Sequence, residues 1–316
     1  MKVIITGDIS RPLPQHKNIE FFYDLLSQSI KQVSSLIDVE CRSTPSFYLD
    51  FSEWLAKEMG HNHCDLDFEK GDFIIAFEPS REMLSYFKNN NIHFLAFNLA
   101  PYRYLDDLCF NIMDCYPFNK NYFTEIVSQF ELQFSADYMR AVKNKTREVN
   151  LLQNKSVLLI GQSPIDRSVI GDDGQFKKLT SFEHEIKKII NERKTYFKPH
   201  PYYKEDDEAV KDMFNAEVLF EDSIYDLLSN PCIDTVISLS SSVGYEAFYF
   251  KKENFFLIDP IVYDTVIHTK DFIQPAFWAK VLQFDTVSAQ GLPSIRHAPN
   301  MLRIGVGFWG YDLRGN

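Results

Sequence analysis

The chain of 316 residues is short of paired cysteines, of long apolar runs and of positive charge. Its cysteines, Cys41, Cys64, Cys109, Cys115 and Cys232, are odd in number and form no Cys-x-x-Cys pair. A secreted disulfide framework is therefore excluded, and a reducing, cytoplasmic compartment is expected. No stretch approaches the ~20 apolar residues that a spanning helix needs, which leaves at most peripheral contact with a membrane. The opening MKVIITGDIS reads as a strand whose apolar run is too short for a signal peptide. Lys and Arg number 33 against 44 Asp and Glu, a net charge of −11. That excludes a nucleic-acid groove or an anionic membrane face as the main partner, but not a small anionic ligand held by one Lys and a helix terminus. Internal repeats and low-complexity segments are absent. What remains is a chain that is 45% hydrophobic and 15% aromatic, enough for one large core or two smaller ones.

The stretch around which the rest arranges itself is TYFKPHP, Thr195–Pro201. A β-prone run ends on Lys198, and Pro199 and Pro201 hold Lys198 and His200 extended. A cation and an imidazole at the carboxyl end of a strand occupy the position where open α/β sheets take ligands, and they suit a phosphate or diphosphate. The same residues also fit a rigid loop with a solvent-facing Lys and a hydrogen-bonded His.

In chain order, Val3–Gly7 reads as a buried strand. Residues 19–37 carry apolar side chains at helical spacing (Phe22, Leu25, Leu26, Ile30, Val33, Leu36). Phe51–Met59 reads as a short helix. His61, His63 and Cys64 gather nearby but lack the second half of a zinc pattern, so no metal is assigned. DFIIAFEP, residues 72–79, is the strongest strand of this half. Helix 81–90 and strand 93–99 follow it, making a βαβ unit and hence a parallel sheet. Glu78 at that strand end points either at a ligand crevice or into the start of the next helix. Arg103, between Tyr102 and Tyr104 and ahead of Asp106 and Asp107, suits a sugar-facing surface. It equally suits a salt bridge at a helix start.

The second half runs β-α-β-α-β-α-β from residue 155. After its first strand, the loop GQSPIDRS brings Gln162, Asp166 and Ser168 to the usual nucleotide position. Asp166 reads as a loop or capping Asp, or as a nucleophile toward an anomeric carbon. After the strand 233–239, Ser240, Ser241 and Ser242 meet a helix start, a ready anion site beside Gly244. Domains of 1–150 and 151–285 follow, with a tail of 286–316 that could cross back to the first.

The motifs GQSPIDRSVI, FKPHP and SLSSSVGYEA, the pair IIAFEPS and LAPYRYLDDL, and the late PAFWAKVL together resemble the bacterial β-Kdo transferases of O-antigen and capsule linker synthesis. More distantly they resemble bacterial sialyltransferases. They span most of the chain, though Ala100-Pro101 and Tyr104 stand where relatives more often have His-Pro and Phe. The resemblance implies a GT-B-like pair of Rossmann-type domains with a donor/acceptor cleft between them. It implies a CMP-Kdo donor held by Gln162, Ser168, Lys198, His200, Ser240, Ser241 and Ser242, and a catalytic nucleophile at Asp166. Glu78 would act as base beside Arg103 and Asp107 on the acceptor side, with no metal or other cofactor. The acceptor would be a polysaccharide or glycolipid, reached from the inner face of the membrane or within a larger synthase. Transfer of sialic, pseudaminic or legionaminic acid is the alternative within enzymes, and a non-catalytic CMP-sugar-binding subunit the alternative outside them.

Overall fold

The computed structural model describes residues 1–7, 16–42, 68–69, 71–79, 81–118, 120–146, 155–164, 166–171, 173, 175–201, 203, 207–220, 222–283 and 291–305. The expected helix Phe51–Met59 and the His61, His63, Cys64 group lie outside them. The fold is mixed α/β with two separate, mostly parallel sheets. The chain divides into Met1–Val127 with Val262–Asn316, and Ser128–Ile261.

In the first unit, β1 (Lys2–Gly7), β2 (Asp38–Arg42), β3 (Phe73–Phe77) and β4 (His93–Leu99) run parallel, and helices α1 (His16–Val33) and α2 (Arg81–Asn89) connect them. Two strands that the sequence reading lacks extend this sheet antiparallel: β5 (Cys109–Tyr116) on β4, and β11 (Val266–His268) on β5. The sheet order is β11-β5-β4-β3-β1-β2. Side chains alternate across it as strand geometry demands. Val3, Ile5, Phe73, Ile75 and Phe77 join an aromatic core with Phe22, Phe97, Phe110, Phe272 and Trp278. Ile4, Ile74 and Ala76 enter the opposite core with Met83, Phe87 and Phe94.

The second unit holds an all-parallel sheet, β10-β9-β6-β7-β8. Its strands are β6 (Ser156–Ile160), β7 (Thr195–Lys198), β8 (Glu217–Val218), β9 (Ile233–Ser238) and β10 (Glu253–Phe256). Around it lie α3 (Gln129–Thr146), α4 (Glu183–Ile190), α5 (Asp207–Phe214), α6 (Ile224–Ser229) and α7 (Ser242–Tyr249). Chain order reverses between β6 and β9, so the crevice outside their carboxyl ends is the place such a sheet offers a ligand.

The expected boundaries at 150 and 285 shift. Helix α3 packs against α6 and α7 of the second unit. Residues 266–268 pair with β5, and the aromatic helix Pro275–Val281 buries Phe277 and Trp278 in the first unit's core. Hydrogen-bond ladders and aromatic burial decide this division, and neither is visible as a break in composition. Among the described residues no helix is long and apolar enough to cross a membrane.

Candidate functional site

The crevice between β6 and β9 is closed by one glutamine. Oε1 of Gln162 accepts from the backbone N–H of Ser240 at 3.1 Å, while Nε2 donates to Ser240 Oγ at 3.0 Å and to Ser168 Oγ at 2.9 Å. Ser240 Oγ in turn donates to the Ser168 carbonyl at 2.6 Å. Asp166 completes the chain of contacts, its Oδ1 accepting from the N–H and the hydroxyl of Ser168, both at 2.8 Å. The loop after β6 and the turn after β9 are thereby fixed to each other through side chains that lie beyond both strand ends. The structure brings Gln162, Asp166, Ser168 and Ser240 together, and Gln162 and Ser240 spend their polar groups on the loops themselves.

Ser241 caps α7, its Oγ accepting from the N–H of Val243 at 3.4 Å, and Ser242 is the first helical residue. Among the described residues no carbonyl accepts from the N–H of Ser241 or Ser242, which leaves two donors at the positive end of the helix. Gly244 serves packing rather than ligand approach. A Cβ there would stand 2.5 Å from the Phe256 ring and 3.0 Å from Ser238 Oγ, so α7 can lie this close to the sheet only without a side chain.

Beside this network opens a small, partly open cleft. Leu179, Phe197, Val210 and Leu239 give its apolar lining, and Gln162, Lys177, Lys178, His200, Tyr203 and Asp207 its polar groups. The Tyr203 ring leans on His200 with centroids 5.3 Å apart. Lys198 does not join them. Alternation along β7 puts Phe197 on the pocket face, and Lys198 Nζ donates instead to the Phe220 carbonyl at 2.7 Å. The cations that do line the pocket, Lys177 and Lys178, carry no motif, and Lys177 Nζ is already paired with Asp173 at 2.5 Å. Asp207 reads in sequence only as the acidic start of a helix.

Gly161 sets the distance between the first loop and the His-Pro turn. A Cβ on it would lie 2.7 Å from the backbone N of His200 and 3.1 Å from Pro199 Cα. Backbone cannot yield cheaply, so Gly161→Ala is expected to cost about 1–3 kcal/mol and to displace His200, seen as a lower midpoint in urea unfolding. An unchanged midpoint would show that the turn has slack.

Burial disfavours the imidazolium of His200 and holds its pKa below the ordinary 6.5, with the Asp166 carboxylate pulling the other way. The folded protein thus binds this proton less readily than the unfolded chain. The stability involved is complete above the unfolded value and is lost as pH falls below it. In urea titrations between about pH 5 and 7, His200→Gln should flatten the fall in stability. An identical slope in both proteins would place His200 in solvent.

In the first unit, chain order reverses between β1 and β3, and Glu78 follows β3 at that point. Its φ of 45° is unusual for a residue with a side chain, and its N–H donates to the Phe97 carbonyl at 2.7 Å. Conformations of this kind cost about 1–3 kcal/mol and gather at functional sites. Asp107, expected to face a sugar, is buried and used by the chain itself. It accepts from the N–H groups of Leu108, Leu302 and Arg303 and meets His297 Nε2 at 2.9 Å. Arg103 lies in the turn before it, and its carbonyl accepts from Arg303 Nη2 at 2.6 Å. Among the described residues no group of three or more His, Cys, Asp or Glu could hold a metal ion.

No protein-family model and no curated protein matches the chain. The solved structures similar to it include two from Thermosulfurimonas dismutans KpsC. The beta Kdo 2,7 transferase is 13% identical with a TM-score of 0.44, covering 87% of this chain and 83% of that one. The beta Kdo 2,4 transferase is 16% identical with a TM-score of 0.41, covering 78% and 77%.

Proposed function

We propose that the chain is a retaining glycosyltransferase of the GT-B class that moves Kdo from CMP-β-Kdo to a bacterial surface polysaccharide or glycolipid acceptor. The observation that carries this reading is the Gln162–Ser240–Ser168–Asp166 network, which fixes a carboxylate at the reversal point of a parallel sheet beside a pocket holding His200. The motifs quoted above from this loop, from the His-Pro turn and from the serine run support it independently.

In this reading the cytidine monophosphate lies at the strand ends, its phosphate taking the N–H groups that open α7 and the neutral His200 as donors. Charge compensation passes from Lys198, which is directed to Phe220, to Lys178, since Lys177 is held by Asp173 at 2.5 Å. Asp166 attacks the anomeric carbon as the bond to the phosphate breaks, and CMP leaves with that electron pair. The two bonds from Ser168 orient the carboxylate through Oδ1 and leave Oδ2 for the attack. The acceptor hydroxyl then displaces the aspartyl ester, losing its proton to Glu78 and restoring the original anomeric configuration. No metal enters this scheme.

Intact-mass spectrometry after mixing the protein with CMP-Kdo tests it, with a shift of one Kdo residue on the loop peptide as the expected result. CMP-nonulosonates offered in parallel separate Kdo from sialic, pseudaminic and legionaminic acids. Absence of both adduct and CMP release with every donor would overturn catalysis. The capping bonds that occupy Asp166 Oδ1 favour, as second reading, a subunit that binds the CMP-sugar without turning it over. Tight CMP binding without release would support that reading.

A further inference from the structure

One amide and two hydroxyls meet around Gln162, and the direction of every proton among them is determined. The backbone N–H of Ser240 can only donate, so the atom it meets at 3.1 Å must be Gln162 Oε1, and the amide cannot turn over. Nε2 then has its two protons for Ser240 Oγ at 3.0 Å and Ser168 Oγ at 2.9 Å. Each hydroxyl, having accepted one bond, has a single proton to give. Ser240 gives its proton to the Ser168 carbonyl at 2.6 Å, and Ser168 gives its own to Asp166 Oδ1 at 2.8 Å. The backbone on which these groups ride is held separately. The N–H of Gly161 donates to the Lys198 carbonyl at 2.8 Å, that of Val169 to the Asp166 carbonyl at 3.1 Å, and the Leu239 carbonyl accepts from Leu257 and Ile258, both at 3.1 Å. What decides where the Ser168 proton points is therefore the polarity of the side chain at position 162.

Resting on the reading of Asp166 as nucleophile, we infer that Gln162 is a positioning residue: it does not hold the donor but, through Ser168, aims a hydroxyl proton at Asp166 Oδ1 and so fixes the carboxylate for attack. A neutral amide is what this task requires. An ionised carboxylate at position 162 would still accept from the Ser240 N–H, but it would have no proton for either serine. It would draw the Ser168 proton to itself, leaving two carboxylates to compete for one hydroxyl, and Asp166 would keep only its bond from the Ser168 N–H. Replacing Asp166 by Asn in the same chain removes the second claimant. The Asn oxygen can still take the backbone N–H, while the hydroxyl serves the carboxylate at 162 alone. Gln162→Glu and Asp166→Asn are thus coupled through a proton that neither of them carries, and a double-mutant cycle measures such coupling.

Two measurements on the full chain read the outcome. With CMP-Kdo, Gln162→Glu is expected to lower kcat about a hundredfold at an unchanged KM, because the carboxylate is misplaced while the donor still binds. An unchanged kcat, or a raised KM alone, overturns the inference and returns Gln162 to donor binding. The second measurement uses no donor, so it decides the matter even where the wild type turns none over and the proposed function falls. In urea unfolding, Gln162→Glu should lower the midpoint and adding Asp166→Asn should raise it again, whereas Asp166→Asn alone leaves the wild-type midpoint in place. With Ser168→Ala in the chain, that recovery should shrink or vanish. A Gln162→Glu midpoint equal to that of the wild type, or no recovery on adding Asp166→Asn, overturns the inference. So does a recovery as large without the Ser168 hydroxyl as with it, which would assign the coupling to direct repulsion between carboxylates.

Discussion

Asp166→Ala should bring turnover of CMP-Kdo down by more than ~10³-fold, because it removes the proposed nucleophile and the group that carries the sugar between the two displacements. The fold should survive. Asp166 is exposed and accepts two bonds within its own loop, so Ala removes a local cap worth about 1 kcal/mol rather than a core contact. Asp166→Asn separates the two tasks. Its side-chain oxygen can still accept from Ser168, but the amide cannot form the ester. Loss of transfer in Asn at wild-type stability assigns the carboxylate to chemistry. Wild-type turnover in either variant would end the adduct mechanism. The Asn change also removes the charge that partly offsets burial at His200, so the imidazole pKa should fall further, a shift that proton NMR can follow.

Much of this site was legible because its residues sit in short motifs anchored to strand ends. Once 156–160, 195–198 and 233–238 are read as strands, the loop GQSPIDRS, the His-Pro turn and the serine run must share one edge of the sheet. Direction within that edge was not legible. Lys198 stands two residues before His200 yet faces away from the pocket, because the pleat sets it opposite Phe197, whereas His200 lies past the strand end where that alternation stops. Lys177, Lys178 and Tyr203 reach the pocket from connecting segments and Asp207 from the first position of α5, where nothing in the local pattern marks them.

The fold shows the same contrast. Runs such as VIITG and FIIAF announce buried parallel strands on their own. Cys109–Tyr116 does not, since Asn111 and Asp114 interrupt its apolar run. Asn111 is tolerated at the centre of the sheet because its amide donates to Asn98 Oδ1 at 3.0 Å, and β11, which covers the open side, comes from over a hundred residues away in sequence. Tertiary pairing, not propensity, makes this strand.

The largest stability loss is expected at Asp107, which reads in sequence as one of two adjacent surface carboxylates. Its Oδ1 accepts from the N–H groups of Leu108 at 2.8 Å and Arg303 at 3.0 Å, and its Oδ2 from that of Leu302 at 2.9 Å. His297 Nε2 approaches Oδ2 at 2.9 Å. The carboxylate thus sits at the start of the helix Met301–Gly305 in place of a capping residue of the helix's own. Leu302, fully buried in the aromatic core, is held there by the same contacts. Asp107→Ala strands several buried donors at once, each costing about 1–3 kcal/mol when unpaired. A total of about 3–5 kcal/mol should appear in urea unfolding, with residues 291–305 losing hydrogen-exchange protection first. Asp107→Asn, which keeps one acceptor oxygen, should lose distinctly less. If Asp107→Ala unfolds at the wild-type midpoint while 291–305 stays protected, then Arg303, whose guanidinium bonds Asn300 and the carbonyls of Arg103 and Leu105, holds the segment without it.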